Sequence, residues 1–253
     1  TIYMKNTTIL ITGASSGIGK ATAELFAKDG ARLILCGRRQ ERLDQLKDSL
    51  NTEVHLLNFD VRDRTAVFRA IESLPANWKQ IDVLINNAGN AHGLDPVQTA
   101  DLDDWDAMID GNVKGVMYVT KAILPQMIER KAGQIINLGS IAGLEVYPNG
   151  NVYCASKFAV DAFTQGLRID LNPYGIRVGA IHPGLVETEF SMVRFKGDET
   201  RSKNVYATIN ALQAEDVANA IGYMVSVPPH VTIADITLLP TDQANATVLN
   251  RQK

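Results

Sequence analysis

Cysteine is scarce in this sequence, which has two in 253 residues. Cys36 and Cys154 fall in a predicted strand and a predicted helix, far apart and without the close spacing of metal ligands. We therefore expect no metal site. We interpret Cys154 as a structural residue, although a tyrosine precedes it. This cysteine content favours a reduced protein of the cytoplasm.

Long apolar runs and a strong net charge are also missing. No apolar run reaches the roughly 18 residues that span a bilayer, and the first residues show no signal-peptide pattern. The net charge of −3 gives no electrostatic signature of a nucleic-acid or anionic-membrane partner. We expect a protein that binds neither nucleic acid nor membrane.

Short apolar runs alternate with helical patterns along the whole chain. This alternation predicts an α/β fold, a Rossmann-type doubly wound parallel sheet with helices on both faces. No repeat, low-complexity stretch or linker divides residues 1–253, so we predict a single domain. Within it we expect a polar, irregular lid around 188–210 and a C-terminal tail around 240–253. The acidic run 101–106 is interpreted as a solvated helix start rather than a metal site.

A glycine-rich loop, TGASSGIG, follows the first predicted strand. Gly13, Gly17 and Gly19 would let the backbone turn tightly and approach a pyrophosphate at a helix N-terminus. Their spacing differs from the common dinucleotide fingerprint G-x-G-x-x-G, so the loop alone is equally compatible with an ordinary strand-to-helix turn.

Two arginines stand where many dinucleotide-binding domains carry an acidic residue, at the end of the second strand. Arg38 and Arg39 would attract a 2′-phosphate that a carboxylate would repel. The sequence therefore predicts NADP(H) as the cofactor, with Arg38 as the residue that selects it. The alternative is that both arginines are solvated at a helix start.

A tyrosine and a lysine lie four residues apart in a predicted helix over 151–171. This spacing puts Tyr153 and Lys157 on one helical face. A nearby ammonium lowers the pKa of a phenol, so we expect Lys157 to lower that of Tyr153. Ser140, after an apolar strand, would offer a hydroxyl to the same substrate oxygen. An isolated Y-x-x-x-K motif is more often a core tyrosine with a solvated lysine, so the pair depends on its context.

A set of motifs resembles, in its order along nearly the whole chain, that of the short-chain dehydrogenase/reductase family: Thr12-Gly-x3-Gly-x-Gly19, Asn86-Asn-Ala-Gly89, Asn112, Ser140, Tyr153-x3-Lys157 and Pro183-Gly184. The resemblance implies that Tyr153 is the general acid, that Lys157 assists it and holds the cofactor ribose, and that Ser140 positions the carbonyl. It implies further that Asn112 anchors a water of the proton relay, and that the enzyme is a homotetramer. The implied cofactor-binding residues are Gly13, Ser15, Ser16, Gly17, Ile18, Gly19, Arg38, Arg39, Asp60, Val61, Asn87, Ala88, Gly89, Tyr153, Lys157, Pro183 and Gly184.

Further segments, among them GRRQERL and VRFKGD, resemble bacterial NADP-dependent 3-hydroxy acid dehydrogenases and sulfoacetaldehyde reductases. The resemblance implies a small aldehyde or alcohol substrate with an anionic end, for which Arg194 is the candidate cation; alternatively, Arg194 is a solvated lid residue. The loop LEVYPN departs from the hydroxy acid dehydrogenase pattern. With Ser140 and Tyr153, the donors Tyr147, Arg194 and Gln243 would suit the three oxygens of a sulfonate.

We therefore expect an enzyme that reduces sulfoacetaldehyde to isethionate. The first alternative is a 3-hydroxy acid dehydrogenase that acts on malonic semialdehyde, serine or allo-threonine. The remote alternative is a non-catalytic NADP-binding sensor.

Overall fold

A parallel sheet of seven strands forms the centre of the computed structural model, which describes residues 4–251. Its strands are β1 (Thr8–Thr12), β2 (Arg32–Gly37), β3 (Val54–Asn58), β4 (Val83–Asn86), β5 (Gly133–Leu138), β6 (Ile176–Pro183) and β7 (Asp235–Leu238). Each apolar run that the sequence assigned to a strand forms one. The Rossmann-type parallel sheet is thereby confirmed.

Helices connect successive strands and cover both faces of the sheet. They are α1 (Gly17–Lys28), α2 (Gln40–Ser49), α3 (Arg64–Glu72), α4 (Leu102–Ile109), α5 (Gly115–Arg130), α6 (Asn151–Leu171), α7 (Phe190–Arg194), α8 (Glu199–Tyr206) and α9 (Ala214–Ser226). Helix α6 has the bounds that its apolar periodicity predicted. Within residues 4–251, no helix combines the length and apolar character required to cross a membrane.

The strand order is β3-β2-β1-β4-β5-β6-β7, and it indicates where a ligand site is expected. The chain moves outward from β1 to β3 and then returns to pair β4 with the other side of β1. Ligands of open α/β sheets bind beyond the carboxyl ends of the strands at such a reversal. The glycine-rich loop after β1 and the loop after β4 flank this point.

The core consists of two apolar layers, one on each face of the sheet. Ile9 packs in the layer that holds Phe26 of α1, and its neighbour Leu10 in the opposite layer with Ile123 of α5. Both strand residues are fully buried, and each such side chain contributes about 1.5–3 kcal/mol to folding. Burial on both faces explains why the strands read as continuous apolar runs.

The segment 102–130 is helical but is not one continuous α-helix. It begins at Leu102, because the Asp101 carboxylate caps it by accepting a hydrogen bond of 2.9 Å from the Asp103 amide. A π-helical turn at 110–114 then separates α4 from α5. The acidic run is therefore a helix start, as expected, and the π turn is a feature that hydrophobic periodicity does not reveal.

The segment 188–210 is more regular than predicted. It contains the short helices α7 and α8, and the Asp198 side chain caps α8 by accepting from the Arg201 amide. Lys196 forms an ion pair of 3.0 Å with Asp104 of α4. The expectation of an irregular segment was wrong, since two such short helices give too few turns for an apolar stripe.

Candidate active site

A cleft of about 250 Å³ opens where β1 and β4 end. Gly13 has a positive φ of 65°, and a Cβ there would lie 2.9 Å from Asn87 Nδ2, so only glycine fits. A Cβ at Gly19 would also collide with Gly13 and Asn87. Of the predicted cofactor residues, the cleft is lined by Gly13, Ser15, Ser16, Gly17, Ile18, Arg38, Arg39, Asp60, Val61, Asn87, Ala88 and Gly89.

Thr12 holds the two loops of this cleft together. Its hydroxyl oxygen accepts hydrogen bonds of 3.0 Å from the amides of Asn87 and Ala88. The Asn87 side chain in turn donates to the carbonyls of Thr12 and Gly13. The backbone is thus fixed in a form that leaves room for a pyrophosphate beside the N-terminus of α1. These glycine positions fit a dinucleotide cofactor.

The two arginines after β2 occupy different places. Arg39 lies on the glycine-rich loop and donates to Ser16 Oγ at 2.7 Å and to Ser15 Oγ at 3.2 Å. Arg38 points to the other side, 3.7 Å from Asp60, with its side chain 56% exposed. Both cations lie at the mouth of the cleft. Arg39, however, contacts the loop directly, whereas the sequence favoured Arg38.

Asn112 lies in the π-helical turn and is 1% exposed. Its Oδ1 accepts from the Asn90 amide, and its Nδ2 donates to the Asn90 carbonyl and to Ser156 Oγ, at 2.8–3.0 Å. A Cβ at Gly89 would lie 2.9 Å from that Oδ1. The side chain therefore joins the π turn to the loop after β4 and to α6. The role in a proton relay that the resemblance implies for Asn112 stays a prediction. π turns inside α-helices are frequent at functional sites.

Tyr153, Lys157 and Ser140 meet in a smaller cavity of about 100 Å³, which Pro183 and Gly184 also line. Tyr153 is 8% exposed and Lys157 6% exposed. Lys157 Nζ donates a 2.8 Å hydrogen bond to the Leu138 carbonyl. The structure thus brings together the three residues that the sequence selected, at the inner end of the cofactor cleft.

The structure does not show the lowering of the Tyr153 pKa by Lys157 that the helical spacing predicted. Burial raises the pKa of the Tyr153 hydroxyl, and a hydrogen bond with Ser140 opposes this shift without cancelling it. Burial also lowers the pKa of Lys157 to about 8. The ammonium is directed at the Leu138 carbonyl and lies 6.0 Å from the centre of the Tyr153 ring. Tyr153 is therefore protonated at neutral pH, the form that a proton donor requires.

Arg194, at the end of α7, and Tyr153 line a separate small pocket, to which Asp95, Asp101 and Asp104 also contribute. Its guanidinium carbon lies 5.5 Å from the ring centre of Tyr153 and 5.6 Å from that of Tyr147. Arg194 Nε donates to the Gly93 carbonyl at 3.0 Å. Its Nη2 is buried and has no hydrogen-bond partner among residues 4–251. A half-buried cation with an available donor beside the tyrosine can bind an anion.

Gln243 does not serve the role that the sequence suggested. It is 6% exposed; its Oε1 accepts from the Leu185 amide at 2.8 Å and its Nε2 donates to the Asn245 carbonyl. The side chain thus fastens the tail to the turn at Gly184, and we no longer expect it to contact a substrate. The Oε1 and Nε2 atoms of Gln243 both form hydrogen bonds with the backbone because the tail folds back on β6.

Two residues that sequence reasoning missed lie at the site. The Phe190 ring packs edge-on against Tyr153, with centroids 5.7 Å apart, and Glu189 pairs with Arg39 at 3.1 Å across the cleft mouth. Neither belongs to a recognisable motif. The only available signal is that both precede Arg194 in the predicted lid.

The direction of the Tyr153 pKa shift predicts how the two reactions depend on pH. Reduction uses the protonated hydroxyl and should stay constant through neutral pH, whereas oxidation needs the ionised form and should rise with alkaline pH. Because the Ser140 hydrogen bond lowers the pKa of Tyr153, Ser140→Ala should displace the oxidation profile to higher pH. Ser140→Thr keeps the hydroxyl and serves as the control. An oxidation profile that Ser140→Ala does not move would contradict this role.

The fold and this site together define a dinucleotide-binding oxidoreductase. A family model described as short chain dehydrogenase matches residues 7–199, and the chain belongs to that family. The NADP-dependent 3-hydroxy acid dehydrogenase YdfG of Escherichia coli strain K12 is 46% identical over 239 residues, 94% of this chain and 96% of that protein. Sulfoacetaldehyde reductase 2 of Chromohalobacter salexigens is 48% identical over 239 residues, 93% of this chain and 95% of its own.

A solved structure gives the same assignment. The closed form of a serine dehydrogenase complexed with NADP+ superposes with a TM-score of 0.92 at 44% identity, covering 98% of this chain and 100% of that chain. The resemblance deduced from the motifs is thereby confirmed. The chain is an oxidoreductase, so the non-catalytic sensor is set aside.

Proposed function

We propose that this enzyme uses NADP(H) to interconvert short 3-hydroxy acids and the corresponding semialdehydes. The observation that carries the proposal is the buried Nη2 of Arg194, which lies beside the proton donor Tyr153 and has no hydrogen-bond partner in the part of the chain that the structure describes. A substrate with a carboxylate near its reacting carbon would pair with this cation. The same contact would direct its oxygen toward Tyr153 and Ser140.

The cofactor would be held by the residues of the larger cleft. Ser15, Ser16 and Arg39 form a group of donors at its mouth that suits a 2′-phosphate. Lys157 would reach the ribose from the inner end. When bound, the nicotinamide supplies or accepts the hydride. The 3-hydroxy acid dehydrogenase of Escherichia coli is NADP-dependent and the similar serine dehydrogenase structure holds NADP+, and the arginines in place of an acidic residue agree with that.

The proton step would fall to Tyr153. In reduction its hydroxyl gives a proton to the carbonyl oxygen, while Ser140 holds that oxygen by a second hydrogen bond. Phe190 and the lid residues around Arg194 cover the tyrosine and limit the access of water. Excluding water strengthens the pairing of Arg194 with an anion. The role of the segment 188–210 as a lid is part of this proposal.

One feature supports a carboxylate more than the sulfonate that the sequence first suggested. Gln243, proposed as a third donor for a sulfonate, is fully engaged by backbone groups. Arg194 Nη2 and the Tyr147 hydroxyl then remain, which is a match for two oxygens rather than three. Sulfoacetaldehyde reduction is the second candidate, favoured by the relative of that name.

The deciding experiment measures kcat/KM with NADPH for malonic semialdehyde and sulfoacetaldehyde side by side. The proposal expects malonic semialdehyde to be preferred by at least about tenfold, equivalent to roughly 1.4 kcal/mol of transition-state binding. Oxidation of 3-hydroxypropionate and of isethionate with NADP+ gives the reverse comparison. A preference for the sulfonate pair in both directions would replace the first candidate by the second.

A further inference from the structure

Glu189 closes the mouth of the cofactor cleft by pairing with two arginines. Its carboxylate accepts hydrogen bonds of 2.7 and 2.9 Å from Arg42 Nη1 and one of 3.1 Å from Arg39 Nη1. These arginines stand in and after the turn that ends β2, whereas Glu189 belongs to the segment 188–210. A residue of the lid therefore contacts the arginines that are candidates for binding the 2′-phosphate of the cofactor.

Arg39 is shared between this carboxylate and the glycine-rich loop. Its Nη1 faces Glu189, and its Nε and Nη2 face the hydroxyls of Ser15 and Ser16. On the other side of the cleft, Arg38 lies near Asp60. The cations that would attract a phosphate are thus already partly neutralised by carboxylates.

The Glu189 side chain is ionised at neutral pH. Its hydrogen bond with Arg42, followed by that with Arg39, lowers the pKa of its carboxyl group. The carboxylate is half-exposed, as are both arginines, so water can solvate either partner when the pair separates. Such an ion pair is weak enough for a doubly charged ligand to displace.

We propose that Glu189 is a specificity-determining residue for the cofactor, whose carboxylate competes with the 2′-phosphate of NADP(H) for Arg39 and Arg42. This inference rests on the proposed function, which places that phosphate at Ser15, Ser16 and Arg39. Glu189 reduces the advantage of the phosphorylated cofactor over the unphosphorylated one. Without its charge, the enzyme should bind the 2′-phosphate more tightly.

The test uses two fragments of the cofactor, 2′,5′-ADP and 5′-AMP, which differ by the 2′-phosphate alone. Their dissociation constants are measured by isothermal titration calorimetry on the full chain at low salt. Glu189→Gln should tighten the binding of 2′,5′-ADP by about three- to tenfold, as expected for removing one partly screened charge that contacts the same arginines. It should leave 5′-AMP binding unchanged, and the gain should shrink as salt is added.

Glu187→Gln is the matched control, since this exposed carboxylate lies two residues earlier and contacts Gln213 rather than the arginines. It should change neither constant. Weaker binding of 2′,5′-ADP by Glu189→Gln would overturn the proposal and make Glu189 a residue that positions Arg39. An equal change for both fragments, or none, would also overturn it.

The wild-type chain tests the proposed function separately. If it binds 2′,5′-ADP no more tightly than 5′-AMP, the 2′-phosphate site itself is wrong, and the competition by Glu189 falls with it. If the wild type prefers 2′,5′-ADP and Arg39→Gln removes that preference, the site stands. In that case the result for Glu189→Gln tests only the competition by Glu189, independently of the proposed function.

Discussion

Tyr153→Phe should lower kcat/KM for carbonyl reduction by about 10²- to 10⁴-fold, the usual contribution of a positioned general acid. The substitution removes one oxygen from a side chain that is 8% exposed and keeps the ring against Phe190. Burial keeps the pKa of the Tyr153 hydroxyl above its ordinary value, so the wild-type group carries its proton at neutral pH. The binding of NADPH, followed by fluorescence titration, should change little.

Tyr147→Phe is the matched control for this substitution. Tyr147 also faces Arg194, 5.6 Å from its ring centre, but is expected to help bind the substrate rather than to transfer a proton. We expect KM to rise a few-fold, because the substrate loses the binding free energy of about one neutral hydrogen bond. The value of kcat should be nearly unchanged. Equal losses of kcat in the two variants would show that Tyr153 is not the specific proton donor.

Arg194→Met should raise KM for an anionic semialdehyde by about 10- to 150-fold, which corresponds to losing a charge-assisted hydrogen bond of roughly 1.5–3 kcal/mol. Methionine preserves much of the length and apolar bulk of the side chain. It removes the guanidinium that approaches Tyr153 and whose Nη2 is free among the described residues. Steady-state kinetics at saturating NADPH would measure the change.

Arg201→Met is the control for Arg194→Met. Arg201 also belongs to the segment 188–210, but its guanidinium stacks on Phe195 at 4.5 Å, and the residue is exposed. Its loss should leave KM within about twofold, as is usual for a surface substitution. If both variants raised KM equally, the effect would belong to the stability of the lid rather than to recognition of an anion.

The sequence predicts the framework of this protein well because the signals are local. Continuous apolar runs identify the buried strands, and the apolar spacing of 151–171 gives the bounds of α6. The residues at the ends of neighbouring strands meet because a parallel sheet brings those ends to one edge. The glycine-rich loop and the pair of Tyr153 and Lys157 were located for these reasons.

What the sequence could not predict depends on contacts between distant residues. Arg39 and Glu189 are 150 positions apart, and no local pattern indicates that they pair. Gln243 was assigned to the substrate because the sequence does not show that the tail folds onto the turn at Gly184. The pKa of Tyr153 depends on its burial and on the direction of Lys157 Nζ, which helical spacing alone does not specify.

The central claim is that Arg194 recognises the anionic end of a substrate that Tyr153 protonates. The most direct test compares kcat/KM for malonic semialdehyde and for propanal, which lacks the carboxylate, in the wild type and in Arg194→Met. Propanal removes the charge of the substrate and Arg194→Met removes that of the enzyme, so the two changes test the same ionic contact. We predict a strong wild-type preference for malonic semialdehyde that falls toward unity in the variant. The same preference in both proteins would contradict the account.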